Sequence, residues 1–130
     1  MTEIALETKK DEWVMITGEV RRAVQEAGVQ AGLCLVYCPH TTAGITVNEN
    51  ADPDVVRDLK LALEASFPDR PEFRHFEGNS AAHLKASVIG TSVALPVQGG
   101  QLQLGRWQGI YFCEFDGPRR RTVHIQVLGT

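Results

Sequence analysis

The chain has 130 residues, of which 43% are hydrophobic and 22% are charged, and its formal net charge is −3. A chain of this length can bury a substantial apolar core, and we expect one domain over residues 1–130. No stretch approaches the roughly 20 apolar residues of a membrane-spanning helix, and the acidic balance gives no general attraction to nucleic acid. We therefore expect neither a membrane nor a nucleic-acid partner.

The N-terminus and the cysteines indicate a cytoplasmic protein. The opening residues lack the basic segment, apolar run and cleavage site of an export signal. Cys34, Cys38 and Cys113 cannot all pair, and their spacing fits neither a disulfide framework nor a CxxC motif. We expect reduced core cysteines, while the closeness of Cys38 to His40 leaves a nucleophilic Cys–His pair as an alternative.

The first third of the chain predicts strands around one helix. Residues 3–8 and 12–16 alternate in the manner of strands. Thr17 is a candidate cap for a helix with apolar residues at helical spacing, and Gly28 suits the end of that helix. Residues 32–38 are almost wholly apolar, which predicts a strand covered on both faces.

The middle of the chain predicts two helices separated by a long connection. After an extended segment at 45–47, Asp52 and the following proline are typical of a helix start, and the pattern predicts a helix to about Ser66. Residues 67–79 contain two prolines and no periodicity, so we expect a long connection. Ser80 is then expected to cap a short helix ending at Gly90.

The last 40 residues predict strands only. Four strand-like runs occupy 91–97, 101–105, 106–115 and 122–129, separated by turn-forming residues. We expect them to form an antiparallel meander. Two or three helices with a largely antiparallel sheet make an α+β fold, because regular βαβ alternation is missing.

A first polar cluster lies between the predicted core strand and the next helix. It contains an imidazole, a hydroxyl, amides and carboxylates: His40, Thr41, Asn48, Glu49, Asn50 and Asp52. Polar groups at the end of a core strand commonly form sites. The structural alternative is that Asn48, Asn50 and Asp52 are turn and cap residues and that His40 is a satisfied strand-end histidine.

A second polar cluster, His75 to His83, surrounds a predicted helix start. Imidazoles, the carboxylate of Glu77 and free helix amides suit a metal or a phosphate. His40, His75 and His83 could bind a divalent ion, zinc or magnesium, with Glu49, Glu77 or Asp52 as alternative ligands. The spacing matches no compact zinc motif, so scattered structural histidines are the alternative.

Four further features have more than one interpretation each. Trp107 is either a core aromatic or a stacking wall for a flat heterocycle, and Glu114 in an apolar strand must be paired, ligating or facing an opening. The cluster Arg119–Arg121 is interpreted as a solvated turn, with phosphate binding as the alternative. His124 is expected to be exposed or to form a cross-strand hydrogen bond.

Taken together, the polar blocks resemble the YjbQ family in order and spacing, from about residue 12 to the C-terminus. The blocks are His40–Asn50, Asp52-Pro53, Glu77-Gly78, His83-Leu84-Lys85 and Gly105–Gly109. The departure is Arg106, where the family typically has threonine, so a hydroxyl is lost beside Trp107.

The resemblance implies a compact α+β fold, a homotrimer with sites near subunit boundaries, and a metal held by histidines. It also implies a secondary thiamine-phosphate synthase, which joins hydroxymethylpyrimidine diphosphate to thiazole phosphate and releases pyrophosphate. The residues that it assigns to the site are the imidazoles His40, His75 and His83, the polar wall Glu49, Asn50 and Asp52, and Thr41, Glu77 and Lys85.

Three functional hypotheses follow for a small-molecule substrate. In the first, a synthase, Thr41, Glu49, Asn50 and Asp52 are catalytic, and Asn48, Glu77, Lys85, Trp107 and Glu114 bind substrate. In the second, a hydrolase, the metal activates water with Glu49 or Asp52 as general base. The third is a non-catalytic trimer that binds a metal or a metabolite.

Overall fold

A computed structural model describes every residue from Met1 to Thr130. The elements in chain order are β1 (Thr2–Glu7), β2 (Trp13–Met15), α1 (Thr17–Ala27), β3 (Ala31–Tyr37), β4 (Ala43–Glu49), α2 (Pro53–Ser66), α3 (Ser80–Ile89), β5 (Ser92–Gln98), β6 (Gln101–Leu102), β7 (Gln108–Glu114) and β8 (Arg120–Gly129).

The strands form two antiparallel sheets. One has the order β1-β8-β3-β5-β6 and the other the order β2-β7-β4. Both sheets and α1 contribute to one apolar cluster, with Val20, Phe112 and Ile125 almost completely buried. The predicted α+β class with largely antiparallel sheets is confirmed.

The predicted four-strand meander is wrong. Only β5 and β6 pair with each other, whereas β7 lies between β2 and β4, and β8 lies between β1 and β3. From Gly109 to Glu114 every residue of β7 is buried, so β7 is the strand that is covered on both faces. The chain passes from one sheet to the other between Glu114 and Arg120, which a pattern of alternation cannot distinguish from a hairpin.

The prediction that β3 is covered on both faces is also wrong. Cys34 and Val36 are buried, but Leu33, Leu35 and Tyr37 on the opposite face are 55%, 40% and 41% exposed. A continuous apolar run therefore marks one core face and one uncovered apolar face of this chain.

Two helix starts differ from their predictions. Thr17 is the first residue of α1, and its hydroxyl accepts a hydrogen bond from the Ile110 N–H (2.9 Å) instead of capping the helix. Ser80 is the first residue of α3, where Asp69 Oδ1 accepts from the Ala81 N–H (3.2 Å). The end of α1 is as predicted, because Gly28 adopts a left-handed φ of 68°.

The remaining predictions for the middle of the chain hold. Asp52 Oδ1 accepts from the Asp54 N–H (2.9 Å) and caps α2, and residues 67–79 contain neither helix nor strand. No residue of α2 is fully buried, and its inward side chains Val56 and Leu63 are only half-buried. None of the helices has the length and apolarity needed to cross a membrane.

Candidate functional site: a polar depression with three histidines

His40 lies where β3 ends. Pro39 has no N–H to donate to β8, so the regular ladder ends there, and the imidazole of His40 contacts the backbone of β8 instead. Its Nε2 lies 2.9 Å from the Thr122 nitrogen and 3.2 Å from the Thr122 oxygen. We assign Nε2 as the acceptor of the shorter bond, which leaves Nδ1–H for other partners.

The surroundings of His40 favour the neutral imidazole. Partial burial lowers the pKa of His40, and the nearby positive charge of Arg121 lowers it further. The Thr122 carbonyl and the charge of Glu114 favour the protonated ring and act in the opposite direction, but they are weaker. His40 is therefore a neutral group with a fixed ring orientation.

The three histidines lie around one polar depression of about 380 Å³, which we call the imidazole depression. Its other functional side chains are Thr41, Thr42, Glu77, Asn79, Arg119 and Arg121. His75 and His83 are neighbours, with ring centroids 5.4 Å apart, and His75 Nε2 lies 3.9 Å from Glu77 Oε1. Residues from the end of β3, the long connection, α3 and the start of β8 thus meet at one place.

The predicted three-histidine metal site is not assembled within the chain. No three His, Cys, Asp or Glu side chains lie close enough together to hold an ion. Moreover, His40 presents Nε2 to the Thr122 N–H, so only Nδ1 remains for a metal, and it would need the other tautomer. The donor atoms are of the right chemical type, but one chain alone does not bring three of them together around an ion.

Arg121, which a buried ion pair with Glu114 holds in place, forms the floor of the depression. Glu114 is completely buried and accepts hydrogen bonds from Arg121 Nε (2.7 Å), the Thr8 hydroxyl (2.6 Å) and the Asp116 N–H (2.9 Å). Burial alone raises the pKa of Glu114, but these hydrogen bonds outweigh it and hold the pKa below its usual value. Glu114 is therefore paired, the first of its three predicted alternatives, and the opening that it also lines is a separate cavity under α2, not the depression.

The prediction of a solvated turn for the three arginines holds only in part. Arg121 is only 6% exposed, so the solvated-turn interpretation is wrong for it, although Arg120 is exposed as expected. Arg121 also donates to the Thr42 hydroxyl (2.8 Å). A buried carboxylate in β7 requires a cation nearby, and this requirement could have identified Arg121.

Asn79 and Asp116 complete the wall beside α3. Asn79 Nδ2 donates to Asp116 Oδ2 (2.8 Å), and Arg119 Nη2 donates to the same oxygen (2.7 Å). Burial acts to raise the pKa of Asp116, but these two donors lower it overall. Asn79 Oδ1 is buried without a hydrogen-bond partner, so this wall presents an unused acceptor.

The polar groups of 48–52 lie elsewhere. His40 precedes β4, whereas Asn48, Glu49, Asn50 and Asp52 lie at its far end, about 20 Å away for a strand of this length. The structure therefore does not bring the predicted polar wall to the histidines within one chain.

These groups bind the backbone around them. Glu49 Oε2 accepts from the Ala51 N–H (3.0 Å), and Asn48 Oδ1 accepts from the Glu49 N–H (2.8 Å). Asn50 Nδ2 donates to the carbonyls of Arg106 (3.1 Å) and Gln108 (3.0 Å). Together with the Asp52 cap, these contacts match the structural alternative.

Trp107 and Lys85 also lie away from the histidines. Trp107 is exposed and stacks under the Arg106 guanidinium, 4.9 Å from the ring centroid, so the core interpretation of Trp107 is wrong. Lys85 is buried and forms an ion pair with Glu64 of α2. Lys85 lines a separate cavity under α2.

The cysteines behave as expected, and His124 does so only in part. All three cysteines are free and buried, and burial raises the pKa of Cys38, which disfavours the thiolate that a Cys–His nucleophile needs. His124 is half-buried and lies opposite Glu3 in the sheet, with Nε2 3.5 Å from its carboxylate, which is a cross-strand contact but not the predicted hydrogen bond.

Comparison with known proteins identifies the family. The family model described as "UPF0047 protein YjbQ-like" matches residues 2–130. The chain belongs to the YjbQ-like UPF0047 family. It is 55% identical to the UPF0047 protein YugU of Bacillus subtilis over 123 residues, which cover 94% of this chain and 93% of YugU.

Two solved structures share the fold closely. A YjbQ/UPF0047 protein of Clostridium acetobutylicum has a TM-score of 0.96 and 51% identity, covering 98% of this chain and 100% of that one. A conserved hypothetical protein of Thermus thermophilus has a TM-score of 0.91 and 42% identity, covering 98% and 100%. The resemblance inferred from the sequence blocks is confirmed.

Proposed function

We propose that the imidazole depression binds a small phosphorylated substrate and that the protein is a secondary thiamine-phosphate synthase. The observation that carries the proposal is the convergence of three imidazoles and two guanidinium groups on one polar depression of about 380 Å³. Arginine and imidazole N–H groups are the donors that phosphate oxygens need. A diphosphate and a small ring fit a space of this size.

The reaction places its main demand on the leaving group. The thiazole nitrogen forms a bond to the pyrimidine methylene carbon, while the bond from this carbon to the diphosphate oxygen breaks and its electron pair leaves with pyrophosphate. In this proposal, Arg119 and the Nδ1–H of His40, both on residues that line the depression, donate to the departing oxygens. No proton has to be removed from the nucleophile.

Asn79 supports the pyrimidine part of this proposal. Its Oδ1 is a buried acceptor without a partner, and its orientation is fixed because Nδ2 is bound to Asp116. The amino group of an aminopyrimidine is a donor that would satisfy this oxygen.

The assay that tests the proposal supplies both precursors and follows thiamine phosphate and pyrophosphate. We expect equimolar products from the native protein and a loss of at least about 100-fold in the His83→Ala variant, in line with removal of an acid–base or donor group. His124→Gln, which changes a histidine outside the depression, should keep the activity. Absence of product from the native protein would contradict the synthase, and equal activity of His83→Ala would contradict the imidazole depression as its site.

We also propose the homotrimer, because the exposed face of β3 offers a surface for another copy. Leu33 and Leu35 lie beside Leu128, Pro96 and Ala94 of the neighbouring strands, and all five are exposed. Contiguous apolar patches of this kind are typical of interaction sites. His40 follows this strand directly, so a neighbouring subunit seated there would approach the imidazole depression.

Sedimentation equilibrium tests the trimer. We expect a mass three times that of the 14.3 kDa chain, and dissociation when Leu33, 55% exposed, is changed to Glu. Val88→Glu on α3 is a matched control, since Val88 is 53% exposed. A native monomer, or equal effects of the two variants, would contradict the proposal.

A further inference from the structure

A second cavity, of about 420 Å³, lies beneath α2 and shares no residue with the imidazole depression. Its walls come from β2, α2, α3 and the end of β7, and its main side chains are Trp13, Val56, Lys60, Leu63, Lys85 and Phe115. The two cavities lie on opposite sides of one ion pair, because Glu114 lines this cavity and Arg121 lines the depression.

The cavity explains why α2 is packed so lightly. Val56 and Leu63 face the body of the protein, yet they are only half-buried. In a close-packed interior such side chains would contact neighbours on all sides, whereas here one side is open. Trp13 and Phe115 provide aromatic surface on the opposite wall, so a ligand with an apolar body would restore contacts that the protein does not make by itself.

The charges in the cavity leave one cation without a partner. Lys85 pairs with Glu64, and the charge of Glu114 is neutralised by Arg121. Lys60 is half-buried and takes part in none of the ion pairs of the structure. A partly desolvated ammonium beside an apolar wall favours an anionic ligand group.

The acidic side chains of the cavity do not cancel this preference. Asp11 and Glu64 line it, but so does Arg57, whose contact with Asp58 is an exposed one at 3.4 Å. Apart from the neutralised Glu114, three cations therefore face two carboxylates. We propose that this cavity is a second binding site, which takes a small amphipathic anion with its apolar body between Trp13 and Leu63 and its anionic group at Lys60.

Two dyes with the same ring system test both halves of the proposal. The fluorescent 8-anilinonaphthalene-1-sulfonate has an apolar body and one negative charge, whereas N-phenyl-1-naphthylamine lacks the sulfonate. We expect Lys60→Gln to weaken binding of the anionic dye about tenfold and to change binding of the neutral dye less than twofold, since one charge-assisted contact is lost. Val56→Phe, which fills the cavity, should weaken both dyes.

Arg22→Gln, which removes an exposed charge from α1, is the matched control and should change neither dye. Far-UV circular dichroism verifies that each variant is folded, and Lys60→Met replaces Lys60→Gln if that variant is not. An unchanged affinity for the anionic dye in the folded Lys60 variant would overturn the proposal. A second result would also overturn it: Leu35→Glu abolishes dye binding while Val56→Phe has no effect. The dye would then occupy the exposed face of β3.

Discussion

The two ends of β4 carry similar polar residues and use them in opposite ways. At the first end, one ring nitrogen of His40 accepts a hydrogen bond from the Thr122 N–H, and the other remains available to a ligand in the imidazole depression. At the far end, Glu49, Asn50 and Asp52 are engaged by nearby backbone groups. A polar cluster is therefore a candidate site only if some of its hydrogen-bonding groups still lack partners after the fold has formed.

The ion pair beneath the first end gives the largest expected effect. Arg121→Met leaves Glu114 buried without its cation, and we expect a loss of about 3–5 kcal/mol in the free energy of unfolding. Urea denaturation measures it. Arg120→Met changes an exposed neighbour and should cost less than about 1 kcal/mol. Similar losses in both variants would mean that the floor of the depression is not held by this pair.

The far end should affect stability without affecting binding. Asp52→Ala removes the cap of α2, and we expect a loss of about 1 kcal/mol, whereas Asp52→Asn retains the cap and should lose little. Thermal unfolding of the two variants provides the comparison. If Asp52→Asn abolished synthase activity at unchanged stability, the carboxylate would have a role beyond the cap.

The smallest of the expected effects is a contribution of His40 to the pH dependence of the free energy of unfolding. The pKa of His40 is lowered on folding from its ordinary value of 6.5, so below that pH the unfolded chain binds more protons than the folded one. The contribution of neutral His40 to stability therefore declines as pH falls from 6.5. In His40→Gln, whose amide oxygen can accept from Thr122, this decline should be absent.

Urea denaturation at pH 7.5 and 5.5 makes this test. We expect the native protein to lose more stability than His40→Gln over this interval, because the remaining groups titrate in both. Equal losses would show that His40 is not held neutral by the fold.

The sequence predicted local structure better than long-range arrangement. The helix α2 and its cap follow from Asp52-Pro53, and the end of α1 follows from Gly28, because these depend on neighbouring residues. The strand order could not be derived, since the apolar runs of β3 and β7 look alike although only β7 is covered on both faces. The pairing of a strand depends on which of the two sheets the chain enters, and the alternation of apolar and polar residues does not determine this.

The candidate site shows the same contrast between what neighbouring residues determine and what the long-range arrangement determines. The histidines and Glu77 were chosen for their chemistry, and the structure places them around one depression. Lys85 was assigned to the same site but lines the cavity under α2, because its helical position points it toward Glu64. Arg121 was missed, since its importance comes from the buried Glu114, with which it pairs only after the chain has changed sheets.

The most direct test of the account is the binding of inorganic pyrophosphate measured by isothermal titration calorimetry. The native protein, His83→Ala and Asp52→Asn would be compared at matched folding. The account predicts that His83→Ala weakens binding by about tenfold or more, while Asp52→Asn binds as the native protein does. If Asp52→Asn bound pyrophosphate more weakly while His83→Ala bound it as the native protein does, the anion would lie at the far end of β4. That result would contradict the account.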